Sequence, residues 1–442
     1  MLEVAIELLL NVEDGEAVLR AWAERMDDEE CEDESVLVGA GANGIDRVME
    51  AMGIAVADPK PFELIGRFQG QPQWQARHAA LIAIGQVVEF VEDRGHVNEL
   101  ANLLLQHVEH PHPRVRYMAY QGLGLMAEDQ SPHFQDEWHE RVMPVFMAGM
   151  DDPIERVAEC TLVAFGKFAG DLDKSLIAPY VDGFTGKLVV KWQATRHRGR
   201  REECISSIAH IAKQLEKDFS RYYDAVMPVI QQFAAQATGE KEELLRGRAF
   251  ECMSFLGAAV GKERFFADAQ GTLSEMMRAP LAEDGPQREY IKESSERIGE
   301  CLKKDFAPFL PALLPGIFKS LVLEEAAVPK SCAFGAEDNE DDVFQAKLGD
   351  GKIMKVKTEK FEELELSLET LQSFCANSEG AYFDWVQPTA EAVLPILAAR
   401  DQLSLSLQVR GAAFALWAQL VKVATTGAAE RGAAMASRAR SC

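Results

Sequence analysis

This chain of 442 residues lacks the short motifs that mark most catalytic and nucleotide-binding sites. It has no GxxxxGK[ST] phosphate loop, no HExxH zinc helix and no GxSxG nucleophile turn. Its glycine-rich stretch GAGANG, at residues 39–44, has no preceding strand that would make it a dinucleotide-binding loop. We therefore expect a protein that binds partners without a cofactor and is not an enzyme.

The eight cysteines lack the spacing of a zinc site or of a disulfide framework, because no CxxC and no Cys/His cluster occurs. Four of them follow one another at intervals of 44, 48 and 49 residues: Cys160, Cys204, Cys252 and Cys301. This spacing favours free thiols that pack as small apolar residues at similar places in successive helices. A reducing compartment and no bound metal are the expected consequences.

Long apolar runs and an excess of positive charge are also missing. No run approaches the roughly 18 residues needed to cross a bilayer, and the opening MLEVAIELLLNVEDGE lacks the basic start and cleavage site of a signal peptide. The net charge of −25 disfavours nucleic acid and favours basic proteins or peptides as partners. The dense basic cluster Arg196–Arg201 is flanked by acids, so a solvated or ion-paired loop is favoured over a nucleic-acid patch.

What the sequence does contain is a pattern that returns about every forty residues. An arginine followed three positions later by alanine opens successive helices, at Arg77 and Ala80, Arg116 and Ala119, Arg246 and Ala249, and Arg410 and Ala413. The first two arginines are 39 residues apart, and the next interval of 130 residues fits three units of about 43. This period is typical of paired-helix HEAT or armadillo repeats.

Prolines inside apolar helical runs provide a second periodic marker. Pro144, Pro228, Pro315 and Pro395 are spaced by 84, 87 and 80 residues, about two repeats each. Because a proline inside a helix kinks it, we predict a bent first helix in alternate repeats.

These observations predict an all-α HEAT-repeat superhelix, a solenoid of about eight repeats plus a half, that forms one array over residues 1–425. An insertion loop is predicted at 324–358, and the Ala/Arg/Ser-rich segment 426–442 is predicted to be a disordered tail. An acidic loop at 27–34 is formed by Asp27, Asp28, Glu29, Glu30, Glu32, Asp33 and Glu34. Neither end has the polar capping repeat that a solenoid needs, so we expect the chain to be a fragment.

The amino-acid sequences within the repeats identify a family more specifically than the repeat length does. The informative strings are PQWQARHAALIAIG (72–85), PHPRVRYMAYQGLGLMA (111–127), HFQDEWHERVMPVFMAGMDDP (133–153) and LLRGRAFECMSFLGAAVGKERF (244–265). They resemble the middle repeats of the importin-beta superfamily of nuclear transport receptors, and most closely its importin 5 or karyopherin beta 3 branch. The likeness is collinear from about Leu2 to Val423.

The resemblance implies an import receptor of cytoplasm, nucleus and nuclear pore that binds basic nuclear localisation signals of cargo proteins on its concave face. It also implies contacts with the FG repeats of nucleoporins and release of cargo by the small GTPase Ran in its GTP form. The family's main Ran site lies in repeats that would precede Met1, so this chain is expected to lack it. The loop at 27–34 occupies the place of the family's acidic loop, with a solvated charge run as the alternative.

In such repeats the second helices line the inner face, where a basic extended peptide needs carboxylates beside apolar or aromatic platforms. The candidate cargo-binding residues are Glu155, Glu159, Glu202, Glu203, Glu251 and Trp74. An exposed carboxylate–lysine pair is worth at most about 1 kcal/mol, so specificity needs several pairs at matched spacing. Each carboxylate alone could be a solvated helix residue, and Trp74 could belong to the core.

Two further interpretations stay open at this stage. Phenylalanines could shape grooves for FG repeats, although core packing is the favoured role for Phe265, Phe266, Phe306, Phe309 and Phe318. The competing function is a HEAT-repeat scaffold or adaptor that holds a protein complex together without Ran control.

Overall fold

The computed structural model describes residues 1–24, 36–52, 59–194, 198–239, 242–278, 287–322, 343–347, 353–398 and 407–441. The acidic loop predicted at 27–34 lies outside the described residues. The chain divides into two compact units, Met1–Tyr222 and Tyr223–Cys442. The single array over residues 1–425 stays a prediction.

In its described residues the first unit is built from helices. The α-helices are α1 Leu2–Leu8, α2 Glu16–Glu24, α3 Val36–Met52, α4 Lys60–Gln69, α5 Trp74–Val87, α6 Arg94–Leu105, α7 Pro113–Asp129, α8 His133–Gly149, α9 Glu155–Gly170, α10 Lys174–Ile177, α11 Val181–Ala194 and α12 Arg198–Leu215. Short 3-10 helices follow at Val88–Phe90, Ala178–Tyr180 and Glu216–Tyr222.

The second unit is also mainly helical in its described residues. Its α-helices are α13 Tyr223–Gln236, α14 Glu243–Val260, α15 Lys262–Arg278, α16 Gln287–Leu302, α17 Leu310–Ser320, α18 Thr358–Ser378, α19 Val386–Ala398 and α20 Leu407–Ser441. Described 3-10 helices lie at Lys303–Phe309 and Glu379–Trp385, and two strands lie at Val343–Lys347 (β1) and Ile353–Lys357 (β2).

From α4 onward the helices pair as the sequence predicts, each first helix packing against the second helix that follows it. Within each unit the second helices also contact one another in order, as α3–α5–α7–α9–α12 and as α14–α16–α18–α20. A second helix therefore has neighbours on several sides and is apolar around most of its circumference, as buried helices are. In α9, for example, Val157, Leu162, Phe165 and Phe168 are all buried.

The repeated arginines fix the turn that precedes each second helix. Arg116 donates from Nη1 to the carbonyl oxygen of His110 at 2.9 Å, and its Nε and Nη2 reach the Asp152 carboxylate at 2.6 and 2.9 Å. In the second unit Arg246 donates to the carbonyl oxygens of Ala237 and Gly239 at 2.7 and 2.8 Å. The alanine three positions later is fully buried in every case: Ala80, Ala119, Ala249 and Ala413. The periodic pattern therefore encodes turn geometry and close helix packing.

The four marker prolines all lie inside first helices, in α8, α13, α17 and α19. The prediction that each interval spans two repeats is wrong for the last one. Pro315 and Pro395 belong to consecutive pairs, because the insertion between α17 and α18 lengthens that repeat.

The predicted insertion at 324–358 contains the two described strands. They pair antiparallel, with the register running from Val343 opposite Lys357 to Lys347 opposite Ile353. The HEAT-repeat fold is confirmed, but the all-α prediction has this hairpin as an exception. A sequence signal was available, because Asp350-Gly351 separates two runs of alternating residues and is a typical hairpin turn.

The predicted disordered tail at 426–442 is corrected by the structure, because α20 continues to Ser441. Arg431 binds the Asp384 carboxylate at 2.6 Å and lies 4.6 Å from the centre of the Phe383 ring. A Cβ at Gly427 would come within 2.6 Å of Phe383, so only glycine allows this approach. The segment is rich in alanine and arginine, which favour helix strongly.

Two expectations about composition can also be compared with the structure. All four of the regularly spaced cysteines are free. Burial confirms the predicted packing role for Cys204 and Cys252, whereas Cys160 and Cys301 are half-buried. Burial raises the pKa of the Cys204 thiol to about 12, so it remains protonated. Among the helices that the structure describes, none combines the length and apolar character needed to cross a membrane.

Candidate functional site

Four of the predicted carboxylates lie on α9 and α12, two second helices that contact each other. Glu155 is the first residue of α9, where a negative charge interacts favourably with the helix dipole. Arg200 of α12 binds it twice, from Nη1 to the side-chain Oε1 at 3.2 Å and from Nη2 to the main-chain carbonyl at 2.9 Å. This arginine therefore joins the amino ends of the two helices.

The four carboxylates differ widely in their exposure. The Glu155 side chain is 61% exposed, whereas the residues Glu159 and Glu202 are only 4% and 7% exposed. Glu203 is half-buried. Glu159, Glu202 and Glu203 all take part in interactions inside the protein. By exposure, Glu155 is the carboxylate that a partner reaches most easily, and the half-buried Glu203 is the next.

The pKa of the Cys204 thiol shows that Arg200, Glu203 and Glu159 lie near the same buried group. This pKa is raised mainly by burial, partly offset by Arg200, and raised further by Glu203 and Glu159. Charged groups from both helices thus surround one buried thiol. The arrangement can bind a cation at its exposed edge, but it holds no activated nucleophile.

The two remaining candidates have different surroundings. Glu251 lies on α14 in the second unit, where its carboxylate is 22% exposed and 3.8 Å from Nη2 of Arg297. Trp74 begins α5 and is half-buried, with its ring stacked on His112 at 3.6 Å between ring centres. Its Nε1 donates to the Asp14 carboxylate at 3.3 Å. The Trp74 ring therefore already has contacts within its own unit.

A groove of about 140 Å³ between α7 and α9 was not predicted from the sequence. Its walls include Tyr117 and Gln121 of α7 together with Arg156, Glu159 and Lys167 of α9. The groove thus combines an aromatic ring, a buried carboxylate and two basic groups.

A pocket for an aromatic ring lies beside this groove. Trp22 of α2 is 8% exposed, and the guanidinium groups of Arg114 and Arg156 lie 5.3 and 5.1 Å from its ring. Tyr117 meets the same ring edge-on at 5.6 Å. The sequence carries one weak signal of this pocket, because Arg114, Arg156 and Arg200 follow one another by 42 and 44 residues.

An acidic cleft of about 500 Å³ lies where α8, α10 and α12 approach one another. Asp136, Asp171 and Asp173 line it, but two of these carboxylates already have hydrogen bonds. Asp173 accepts one from the backbone of Ser175 at 2.8 Å, and Asp171 accepts one from Ser131 at 3.0 Å. These carboxylates therefore stabilise turns.

Other candidate sites find little support. In the basic cluster Arg196–Arg201, Arg200 is 7% exposed and paired with Glu155, while Arg196 and His197 lie outside the described residues. Phe265 and Phe306 are fully buried in the core, and Phe266 is 36% exposed. Across the described ranges no group of three His, Cys, Asp or Glu side chains is placed to hold a metal ion.

The fold and this surface define a HEAT-repeat protein, an α-helical solenoid whose second helices form a continuous row within each unit. The chain is 26% identical over 401 residues to importin subunit beta-3 of Saccharomyces cerevisiae, a match that covers 88% of this chain and 36% of that protein. It is 22% identical over 357 residues to the probable importin subunit beta-4 of Schizosaccharomyces pombe, covering 75% of this chain and 32% of the relative. No protein-family model matches the chain.

Solved structures confirm the fold. A crystal structure of Kap121p matches with a TM-score of 0.81 and 24% identity, over 97% of this chain and 41% of that chain. Kap121p bound to Pho4p matches with a TM-score of 0.78 and 24% identity, over 96% of this chain and 41% of that chain. The resemblance to the importin-beta superfamily, near the importin 5 and beta-3 branch, is confirmed by these relatives. This chain spans about a third of the length of the curated relatives named above.

Proposed function

We propose that this chain is the segment of a nuclear import receptor that binds basic nuclear localisation signals of cargo proteins along the second helices of its first unit. Contacts with nucleoporin FG repeats, release linked to Ran in its GTP form and movement between cytoplasm and nucleus belong to the same proposal. These further steps rest on the family alone. The exposed Glu155 of α9 and the half-buried Glu203 of α12 give the cargo step its structural basis.

The observation that carries the proposal is the extent of the sequence match. The match to importin subunit beta-3 covers 88% of the chain, so the likeness is not confined to one motif. Kap121p, which has the same fold, has been solved bound to Pho4p, Ste12p and Nup53p. A surface for extended partners on this row of second helices is consistent with both observations.

The electrostatics favour a basic partner. The net charge of −25 attracts cations over long distances and raises association rates. At close range a lysine ammonium can reach the Glu155 carboxylate from its exposed side without displacing Arg200. Glu203, on the adjacent second helix, offers another contact, while Tyr117 and Gln121 in the groove provide surface for the aliphatic part of a lysine.

Fluorescence anisotropy with a labelled lysine-rich signal peptide tests the cargo step. The double variant Glu155→Gln/Glu203→Gln should weaken binding by roughly fivefold, because the two carboxylate–lysine pairs together contribute about 1 kcal/mol. Both substitutions keep the side-chain volume, and an amide oxygen at position 155 can still accept the Arg200 hydrogen bond. The thermal midpoint of the double variant is measured alongside, so that a loss of affinity is not confused with a loss of stability. Binding by the unaltered chain should fall steeply as salt is raised.

Glu140→Gln is the matched control, because Glu140 is exposed on the first helix α8 in the same unit. It should bind the peptide as tightly as the unaltered chain does. Absence of binding, or equal affinity of the double variant and the control, would remove the cargo model and favour the scaffold alternative.

A further inference from the structure

The helix α2 buries one side chain against the second-helix row. Of its nine residues Trp22 alone is buried, while Glu16, Ala17, Arg20, Ala21 and Glu24 are exposed. Its main contact is with α9, although it precedes α9 by more than 130 residues. An isolated helix of this length is marginal in water, so the position of α2 depends on its tertiary contacts, of which the buried Trp22 is the largest.

Trp22 is held in place by contacts to both its ring and its main chain. The two guanidinium groups of Arg114 and Arg156 face the Trp22 ring, an arrangement that favours an electron-rich indole through cation–π attraction. Nη1 of Arg156 also donates to the main-chain carbonyl of Trp22 at 3.1 Å. The pocket thus recognises an aromatic ring together with the backbone that carries it.

The segment before α2 is attached to another second helix. Asp14 accepts hydrogen bonds from Nε1 of Trp74 and from Nε2 of Gln75, at 3.3 and 3.4 Å. Gly15 then turns the chain with φ of +143°, a conformation that L side chains rarely adopt. Residues 14–24 therefore contact α5, α7 and α9 in succession, as an extended ligand of this row would.

We propose that residues 14–24 are a displaceable intramolecular ligand of the second-helix row, seated by Trp22 in the pocket of Arg114, Tyr117 and Arg156. The pocket is thus a binding site for an aromatic side chain on a weakly acidic segment. Glu16 and Glu24 against Arg20 give α2 a net charge of −1, which complements the two arginines. Tyr117 and Arg156 also line the groove of about 140 Å³, so a peptide in that groove competes with α2.

The binding test uses the full chain and the labelled peptide DGEAVLRAWAE, which has the sequence of residues 14–24. The Trp22→Ala chain has an empty pocket and should bind this peptide at least tenfold more tightly than the unaltered chain does. The same peptide with tryptophan replaced by alanine is the control and should not bind. Equal binding of the peptide by both chains would overturn the proposal.

A second measurement needs no substitution. Excess DGEAVLRAWAE added to the unaltered chain should speed hydrogen exchange of the α2 amides, because α2 leaves the pocket. Unchanged exchange in α2 when the peptide saturates the protein would also overturn the proposal.

Competition with cargo rests on the proposed function and is measured separately. Trp22→Ala should bind the lysine-rich peptide about threefold more tightly than the unaltered chain. If neither chain binds that peptide, the proposed function fails, while the result with DGEAVLRAWAE still decides whether α2 is a ligand. If both chains bind it equally, competition for the groove is excluded.

Discussion

The two units share one helix-packing scheme and differ in the partner that the repeated arginine binds at the start of a second helix. In the first unit Arg116 is paired with the carboxylate of Asp152, whereas in the second unit Arg246 binds the uncharged side chain of Gln287 at 3.0 Å. All nine histidines lie between His78 and His210, in the first unit. The same packing thus tolerates a charged and a neutral partner at this position. The first unit, which holds the histidines, should respond more strongly to mild acid.

Removing the charged link should have the largest effect. Asp152→Ala leaves the Arg116 guanidinium, whose side chain is 13% exposed, without its carboxylate and should lower the free energy of unfolding of the first unit by about 3 kcal/mol. Gln287→Ala removes a neutral partner and should cost the second unit about 1 kcal/mol. Hydrogen exchange in increasing urea, read separately in α7 and α14, measures both losses in the full chain.

Asp182→Ala serves as the control for this comparison. Asp182 pairs with Arg221 at the surface, where the two side chains are 75% and 60% exposed. The loss of this ion pair should change the free energy of unfolding of the first unit by less than about 0.5 kcal/mol. Equal losses for Asp152→Ala and Gln287→Ala would show that the charge of the link is unimportant.

Mild acid should weaken the first unit selectively. Burial, and then the nearby Arg114 charge, lower the pKa of His78 from 6.5 to about 3. The unfolded chain therefore takes up a proton near pH 6.5 while the folded chain does not. The stabilisation is complete above pH 6.5 and is lost as pH falls towards 3, by roughly 2 kcal/mol at pH 5.

Hydrogen exchange at pH 7 and pH 5, corrected for the intrinsic rates, compares α5 with α16 in the full chain. The exchange free energy should fall in α5, which carries His78, and stay nearly constant in α16, whose unit has no histidine. His78→Gln should abolish part of the difference. Equal changes in the exchange free energy of α5 and α16 would contradict the assignment of the acid sensitivity to His78.

The pairing of helices was predictable because apolar periodicity and a repeated arginine recur in every part of the array. The exposure of single site residues was not. Glu155 and Glu159 are four residues apart and share a face of α9, yet one side chain is 61% exposed and the other residue is 4% exposed. Burial there depends on neighbouring helices whose angles a one-dimensional pattern does not contain.

The position of α2 could not be predicted for a related reason. Its contact between Arg156 and Trp22 joins residues 134 positions apart, and nothing periodic in the sequence links them. The hairpin at Val343–Lys347 and Ile353–Lys357 does have a local signal, because Asp350-Gly351 is a dipeptide that is frequent in hairpin turns. Local signals were sufficient for the hairpin, whereas α2 requires the tertiary structure.

The most direct test is hydrogen exchange of the full chain with and without a saturating lysine-rich signal peptide. Bound peptide should slow exchange in the first turns of α9 and α12, around Glu155 and Glu203, and should speed it in α2. Unchanged exchange in all three helices, or slowing confined to the second unit, would contradict a cargo site on this row of second helices.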